Sequence, residues 1–311
     1  MEMMIVLLLL CSTIFITILF FQKQTARRKS NTPPSPPRLP FIGNLHQLGR
    51  YPHRSLCFLS RRYGPLMLLH FGRVPVLVVS SVGAARDVLK THDRVFASRP
   101  QSKIFEKLMY NGRDVAVAPY GEYWRQMKSV CVLHLLSHKM EEVCTCCKRR
   151  SSVSEEDLQN MKYLKAVIKE TLRLHPPLPL LVPHKSTQEV ILRDYGIPAG
   201  TQVTINAWAI GREAATWGQD AESFRPERHL DSSVDFRGHD FELIPFGAGR
   251  RICPAISFAA VLNEFVLANL VHQLNWRLPA ESNEVKTNVA ESIGTVIHRM
   301  FPLYAIASST T

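Results

Sequence analysis

The stretch Phe241-Glu-Leu-Ile-Pro-Phe-Gly-Ala-Gly-Arg-Arg-Ile-Cys-Pro-Ala255 holds one cysteine between a glycine-rich, doubly basic loop and an apolar run. Pro254 suits a first helical position, where its missing N–H leaves no bond unmade. Beyond it, Leu262, Phe265, Val266 and Leu270 recur at helical spacing, which predicts a helix with a buried face. Cys253 is then expected at a helix N-terminus, where the dipole and the adjacent Arg250 and Arg251 favour thiolate over thiol. A thiolate so placed can act as a nucleophile, a redox sensor or a metal ligand.

With 311 residues, 46% of them hydrophobic, the chain has length for one large domain or two ordinary ones and can bury a substantial core. Its formal net charge of +12 comes from Lys and Arg spread along the sequence, with no nucleic-acid motif beside them. An anionic membrane or an acidic protein partner accounts for that balance, and nucleic acid is not expected as a partner. The seven cysteines lack framework spacing, which points to a reducing compartment. Cys144-Thr-Cys-Cys147 has no second pair at zinc-ribbon distance and reads as ordinary thiols.

Residues 4–21 carry no charge, close to the length that crosses a bilayer. Lys23, Arg27, Arg28 and Lys29 follow at once and only Glu2 precedes, so the bulk of the chain is expected on the cytosolic side. A cleaved signal peptide places its charges before a shorter run, so residues 1–21 read as a retained anchor. A basic, proline-rich hinge follows at 22–40. Its segment Thr32–Pro40 has five prolines and is expected to be a stiff spacer.

In the remainder, 41–311, Leu66–Phe71 and Val74–Val79 around Gly72-Arg73 predict a hairpin. Val82–His92 and Tyr120–Ser137 predict helices. Ser154-Glu-Glu-Asp157 predicts a helix start, and Leu158, Met161, Leu164, Val167, Ile168 and Leu172 supply that helix's apolar face until Pro176-Pro177. Thr201–Ile210 is expected to be a strand.

Four separated features carry chemistry together. Glu170 and Arg173 meet on one helix face, where an isolated pair is worth only a few tenths of a kcal/mol. Phe224-Arg-Pro-Glu-Arg-His229 offers Arg228. Trp124-Arg-Gln-Met-Lys128 places an indole and a cation four apart. The fourth is Phe246-x-x-Gly249-x-Arg251-x-Cys253. Together they resemble the cytochrome P-450 family, the heme-thiolate monooxygenases, in a plant microsomal form, over the anchor, the hinge and most of 41–311.

The resemblance implies a mainly α fold with a small β-sheet region, and heme b as cofactor. It makes Cys253 the axial iron ligand, a thiolate that pushes electron density toward O–O cleavage. Phe246 belongs to the same motif. Gly247 and Gly249 are expected to let the backbone approach the macrocycle. Arg251, Lys128, Trp124 and His184 are expected to face the propionates. Glu170, Arg173 and Arg228 resemble a buried structural triad behind the cysteine loop. Electrons would come from NADPH through a membrane-bound reductase, at the cytosolic face of the endoplasmic reticulum. Arg99–Ala118, Leu178–Val182 and Glu291–Val296 are expected to line a pocket for a small apolar or aromatic secondary metabolite.

The resemblance also breaks. Trp124 and Glu170 stand much closer in sequence than in full-length members, with an apparent join near 148–152. The missing region would hold the central helix that crosses the oxygen-binding face, with its Gly-x-Asp/Glu-Thr pattern. Gly211-Arg-Glu-Ala-Ala-Thr216 has similar letters but follows a strand. No distal acid–alcohol pair is present, so the fold is expected to be incomplete. Ala255 and His229 stand where many relatives have Gly and Phe, and read as variation. The first reading is a reductase-dependent monooxygenase. The alternative is a catalytically dead truncated product that binds heme weakly or serves as a membrane-anchored interaction protein.

Overall fold

The computed structural model describes residues 31–136, 153–279 and 290–309 except Ile293 and Thr295, and also Thr13. The apolar run 4–21, the cysteine cluster 144–147 and the join at 148–152 lie outside the described residues. Among the described residues no helix is long and apolar enough to cross a membrane.

The hairpin forms as expected. Leu66–Phe71 (β1) and Val74–Val79 (β2) pair antiparallel, from Leu66 opposite Val79 to Phe71 opposite Val74. His184–Lys185 (β3) and Gln202–Ile205 (β6) complete a sheet of order β1-β2-β6-β3, with β6 parallel to β2 and antiparallel to β3. Val190–Leu192 (β4) pairs with Tyr195–Ile197 (β5), and Leu274–Arg277 (β7) with Ile306–Ser309 (β8). The strand expected over 201–210 ends at Ile205. There the Asn206 side chain accepts from the Ala209 N–H and caps a short helix, satisfying a donor that a continuing strand would have paired.

The helices that position the site are Pro52–Tyr63 (α1), Val82–Arg86 (α2), Glu122–Val130 (α3), Glu155–Asn160 (α4), Lys162–Leu174 (α5), Ala207–Ile210 (α6) and Ile256–Gln273 (α7). α2 continues as wider turns through Asp87–Thr91, and α3 does the same through Cys131–Leu135. Ser154 and Asp157 form a reciprocal capping box at the start of α4. One helix was expected from there to Leu172; Met161, at ψ 63°, breaks it into α4 and α5.

The main core joins the sheet (Leu77, Val79, Val203, Ile205) to α2 and its extension (Ala84, Val88, Leu89) and to the cysteine stretch (Phe241, Ile244, Ala248). The site loop is therefore fastened into the largest apolar cluster rather than hung from its surface.

Two expectations are corrected. The proline segment is not a free spacer. Pro33 and Pro36 are buried while Pro34 and Pro37 are exposed, the threefold alternation of a polyproline helix laid on a surface. The Leu68 N–H donates to the Pro34 carbonyl, and Asn44 Nδ2 donates to those of Pro36 and Pro37. The predicted buried face of α7 is only half covered. Phe265 and Ala268 pack with Val153, Leu158 and Leu164, but Leu262 and Val266 are each 46% exposed and Leu270 40%. A helix apolar on every side is built for burial on every side, and among the described residues α7 lacks neighbours on this side.

Candidate functional site

The cysteine loop closes on itself. The Gly247 N–H donates to the Ile244 carbonyl and the Cys253 N–H to that of Phe246, both at 3.0 Å. Gly249 opens a single 3-10 turn at φ 66°, and a Cβ there would lie 2.0 Å from the Leu89 carbonyl oxygen. Its missing side chain thus lets α2's extension pack against the loop. Gly247, at φ 73°, has free space where a Cβ would stand. Pro254 and Ala255 form a turn and α7 begins at Ile256, so Cys253 precedes the helix instead of sitting in its first turn.

Cys253 opens onto a cavity of about 440 Å³. Pro245, Phe246, Gly247 and Ile252 of the loop share its wall. Leu172 of α5, Leu178, Leu181, Val182, Val115 and Ala116 make other sides apolar. Arg99, Trp124, His184 and Arg251 supply the polar atoms, and no carboxylate lines it.

These polar groups are tied down by backbone. Arg251 donates from Nε to the Ala97 carbonyl and from Nη2 to that of Ala118, both at 2.6 Å; its buried Nη1 has no partner. The guanidinium carbon sits 4.1 Å from the Trp124 ring centre, a cation–π contact, while the indole N–H donates to Val115 at 2.8 Å. Arg99 donates to Ala116, Val182 and Pro183. His184 Nδ1 lies 2.8 Å from the Phe96 carbonyl. Burial, with Arg251 alongside, lowers Arg99 to about 9; burial lowers Arg251 to about 10. Burial, then the charge of Arg99, lowers His184 to about 3. Two guanidiniums on a wall with no carboxylate among its described lining residues make a site for an anion, while the neutral His184, donating from Nδ1 to Phe96, has only an acceptor left at Nε2.

Lys128 is not on this wall. Its Nζ donates to the Arg250 carbonyl at 2.8 Å and lies 5.2 Å from the Trp124 ring centre, bracing the loop from behind. Arg250 turns away to Asp93, at 2.7 Å. Arg99 was read only as the start of a pocket-lining segment. The one signal for it in sequence is a lone cation within the apolar run Val95–Pro100.

Glu170 accepts from five donors. Arg173 reaches it twice at 2.7 Å, the Arg225 N–H at 2.8 Å, Arg228 Nε at 3.1 Å, and His229 Nε2 lies 2.9 Å away. Burial alone would raise this carboxyl, but the bonds from Arg173, His229 and Arg225 hold it well below the usual range. His229 is therefore a fourth member of the network, not neutral variation. Arg173 also stacks over Trp217, which shares one apolar cluster with Leu172, Phe236 and Phe246. That cluster carries the network's rigidity to the loop.

Arg99–Ala118 and Leu178–Val182 reach the cavity, and no described residue of Glu291–Val296 lines it. Glu291 pairs with His53 and Arg54, each at 3.1 Å, and lines a separate cavity with His175 and Trp208. Cys57, Cys131 and Cys253 are free thiols, and among the described residues no cluster of His, Cys, Asp and Glu is shaped to hold a metal ion. Among the described residues the cavity offers a metal a single cysteine sulfur, that of Cys253.

Comparisons with known proteins give a family to the chain that builds this cavity. The Cytochrome P450 family profile matches residues 33–149 and 140–300. The chain belongs to the cytochrome P450 family. It is 49% identical to Cytochrome P450 71A21 of Arabidopsis thaliana, over 90% of this chain and 94% of that one, and equally to Cytochrome P450 71A26. These alignments run over 459 positions, more than the 311 residues here, so an internal stretch of each relative has no counterpart in this P450. A zebra fish cytochrome P450 solved with abiraterone has the same fold, with a TM-score of 0.67 and 20% identity over 84% of this chain. The fold is that of the family on a chain shorter than its relatives.

The family's prosthetic group is heme b, and the residues present fit it. The unpartnered Arg251 Nη1 and the carboxylate-free basic wall suit propionates, and the apolar walls suit a flat macrocycle. The single cysteine sulfur suits an iron that arrives with its other ligands in the group.

Proposed function

We propose that Cys253 would supply the sulfur ligand to heme b, and that the chain is a reductase-dependent monooxygenase with its oxygen side left open. The observation that carries this is the shared cavity: Cys253 at one wall, Arg99, Trp124, His184 and Arg251 around it, and apolar side chains between. Heme b, when bound, supplies the redox chemistry by which one oxygen atom is inserted and the other reduced to water.

The chain's own residues do the rest. Gly247 leaves the approach to Cys253 free of a side chain. Arg251 and Arg99 would hold the propionates, with Trp124 stacked on the Arg251 guanidinium and His184 bonded to Phe96 behind them. Lys128 supports the loop through the Arg250 carbonyl. Glu170, Arg173, Arg228 and His229 keep the loop's floor rigid. Leu178, Leu181, Val182, Val115 and Ala116 favour a small apolar or aromatic substrate. NADPH electrons arrive through a membrane-bound reductase, at an endoplasmic reticulum membrane entered by residues 1–21. The two-part family match, overlapping at 140–149, supports a join in the neighbouring 148–152 segment.

Without the central helices, water reaches the oxygen side. NADPH use is therefore expected to yield more hydrogen peroxide than product. The test is the reduced carbon monoxide difference spectrum of the membrane-bound chain. A red-shifted Soret band is expected and its loss in Cys253→Ser; a band that survives the substitution overturns the assignment of Cys253. Addition of reductase and NADPH then separates the readings. Substrate oxidation supports a monooxygenase, and a band without any NADPH consumption supports the inactive alternative.

A further inference from the structure

The cavity that Glu291 lines, about 250 Å³, shares a wall with the one that Cys253 faces. Pro176 and Pro179 line this second cavity, whereas Pro177, Leu178, Leu181 and Val182 line the first. Thr171 and Leu172, neighbours on α5, divide in the same way. One layer of chain therefore separates the two spaces. It is tied at two points: the Ile297 N–H donates to the Pro177 carbonyl at 2.8 Å, and the Trp208 backbone N–H to that of Pro179 at 3.2 Å. Within it Leu181 takes φ 50°, a left-handed conformation uncommon outside glycine.

The second cavity carries polar groups whose bonding is incomplete. Glu291 is 8% exposed, and His53 Nε2 and Arg54 Nη2 both reach the same oxygen, Oε2, at 3.1 Å. Among the described residues no donor reaches Oε1. Trp208 is held in the wall by the guanidinium carbons of Arg212 and Arg54, 3.9 and 5.7 Å from its ring centre. Its indole Nε1 is buried without a partner. A buried N–H left unmet is rare, because nothing repays its lost water, so this one points to a group that meets it. A cavity of about 150 Å³ accepts benzene, so this one has room for a single ring with substituents. Pro176, Pro179 and Ile297 suit the faces of such a ring. Arg54 already answers the charge of Glu291, which favours a neutral ligand over an ion.

We propose that this cavity is an effector subsite for a small neutral aromatic that bears both a donor and an acceptor, a phenol above all, and that its occupancy shifts the shared wall Pro176–Val182 and resets the fit of ligands in the first cavity. The phenol hydroxyl donates to Glu291 Oε1, and an oxygen of the ligand accepts from Trp208 Nε1. The wall can respond because Leu181 already sits in a sparsely populated conformation that a small push relieves or deepens. The coupling rests on the reading of heme b in the first cavity; the subsite itself does not.

The test uses the full heme-loaded chain in its membrane, with 4-azidophenol as a photolabel and phenol as competitor. Label is expected on the peptides that carry Trp208 and Ile297, removed by excess phenol. It should fall at least about fivefold in Trp208→Phe, which keeps a ring and loses the N–H, and in Ile297→Trp, which fills the cavity. Circular dichroism checks that each variant is folded. Label confined to the peptide of Val115 and Ala116 puts phenol in the first cavity and overturns the proposal, as does label at Trp208 that neither variant reduces. Imidazole, titrated by its Soret shift, then reads the coupling. Its Kd is expected to change about fivefold or more and to level off as phenol saturates, with no such plateau in Trp208→Phe. A Kd that climbs in proportion to phenol without limit shows simple competition at the iron and overturns the effector role. If imidazole gives no Soret shift in any sample, the heme reading falls, and the labelling alone decides the subsite.

Discussion

Replacing Glu170 by glutamine keeps the side chain's size and removes its charge, which isolates what the buried carboxylate does. Both Glu170 and Arg173 have fully buried side chains, and that of Arg228 is 7% exposed. In Glu170→Gln the amide oxygen is best kept at Oε1, where Arg173 Nη2, the Arg225 N–H and Arg228 converge. The amide nitrogen then faces Arg173 Nε and His229 Nε2. His229 can adapt by moving its proton to Nδ1, which has no partner to lose. Arg173 cannot adapt, although its other nitrogens keep the carbonyls of Ala221 and Ser223. Breaking a buried pair from one side costs about 3–5 kcal/mol. For a body of this size that lowers the melting point by roughly 6–20 °C. The assay is the loss of the reduced carbon monoxide band with temperature in the heme-loaded chain. A shift of about 2 °C or less would refute a cooperative buried network, and with it the view that these residues hold the cysteine loop.

Three further outcomes follow from particular contacts. Gly249→Ala meets both a left-handed φ and the Leu89 carbonyl, so heme retention should be lost; Gly247→Ala meets only the φ cost, about 1–2 kcal/mol, and should keep it, as read by heme content after gel filtration. His184, at about 3 in the fold against about 6.5 in the unfolded chain, contributes stability present above pH 6.5 and lost as pH falls toward 3. Melting of the heme-free chain should accordingly lose roughly 1 kcal/mol per pH unit below 6.5 from this residue, and His184→Gln should flatten the profile by that slope. On α7, Leu262→Glu with Val266→Lys should change stability by only about 0.5 kcal/mol or less each, yet reduce self-association in sedimentation velocity, because both side chains are half exposed.

How much of the site is readable in sequence depends on how local each part is. Hairpin β1–β2, the Ser154 cap and the Cys253 loop follow from periodicity and turn chemistry within a few residues. His229 was not readable as a network member, because its partner Glu170 lies 59 residues away and only packing brings them together. Arg99 was hidden for the same reason. Its guanidinium is held by carbonyls from Ala116, Val182 and Pro183, none of which a side-chain pattern records.

The sequence by itself determined the lone cysteine, the glycines and the carboxylate–guanidinium pair, since each is written in residue types at fixed spacing. Tertiary structure alone decided what those residues touch. It assigned Gly249 to the contact with Leu89 and moved Lys128 behind the loop. It sent Glu291 to another cavity and laid the proline strap on the sheet. The physical reason is common to all four: steric approach and hydrogen bonding to backbone depend on where distant segments lie in space, and composition does not encode that separation.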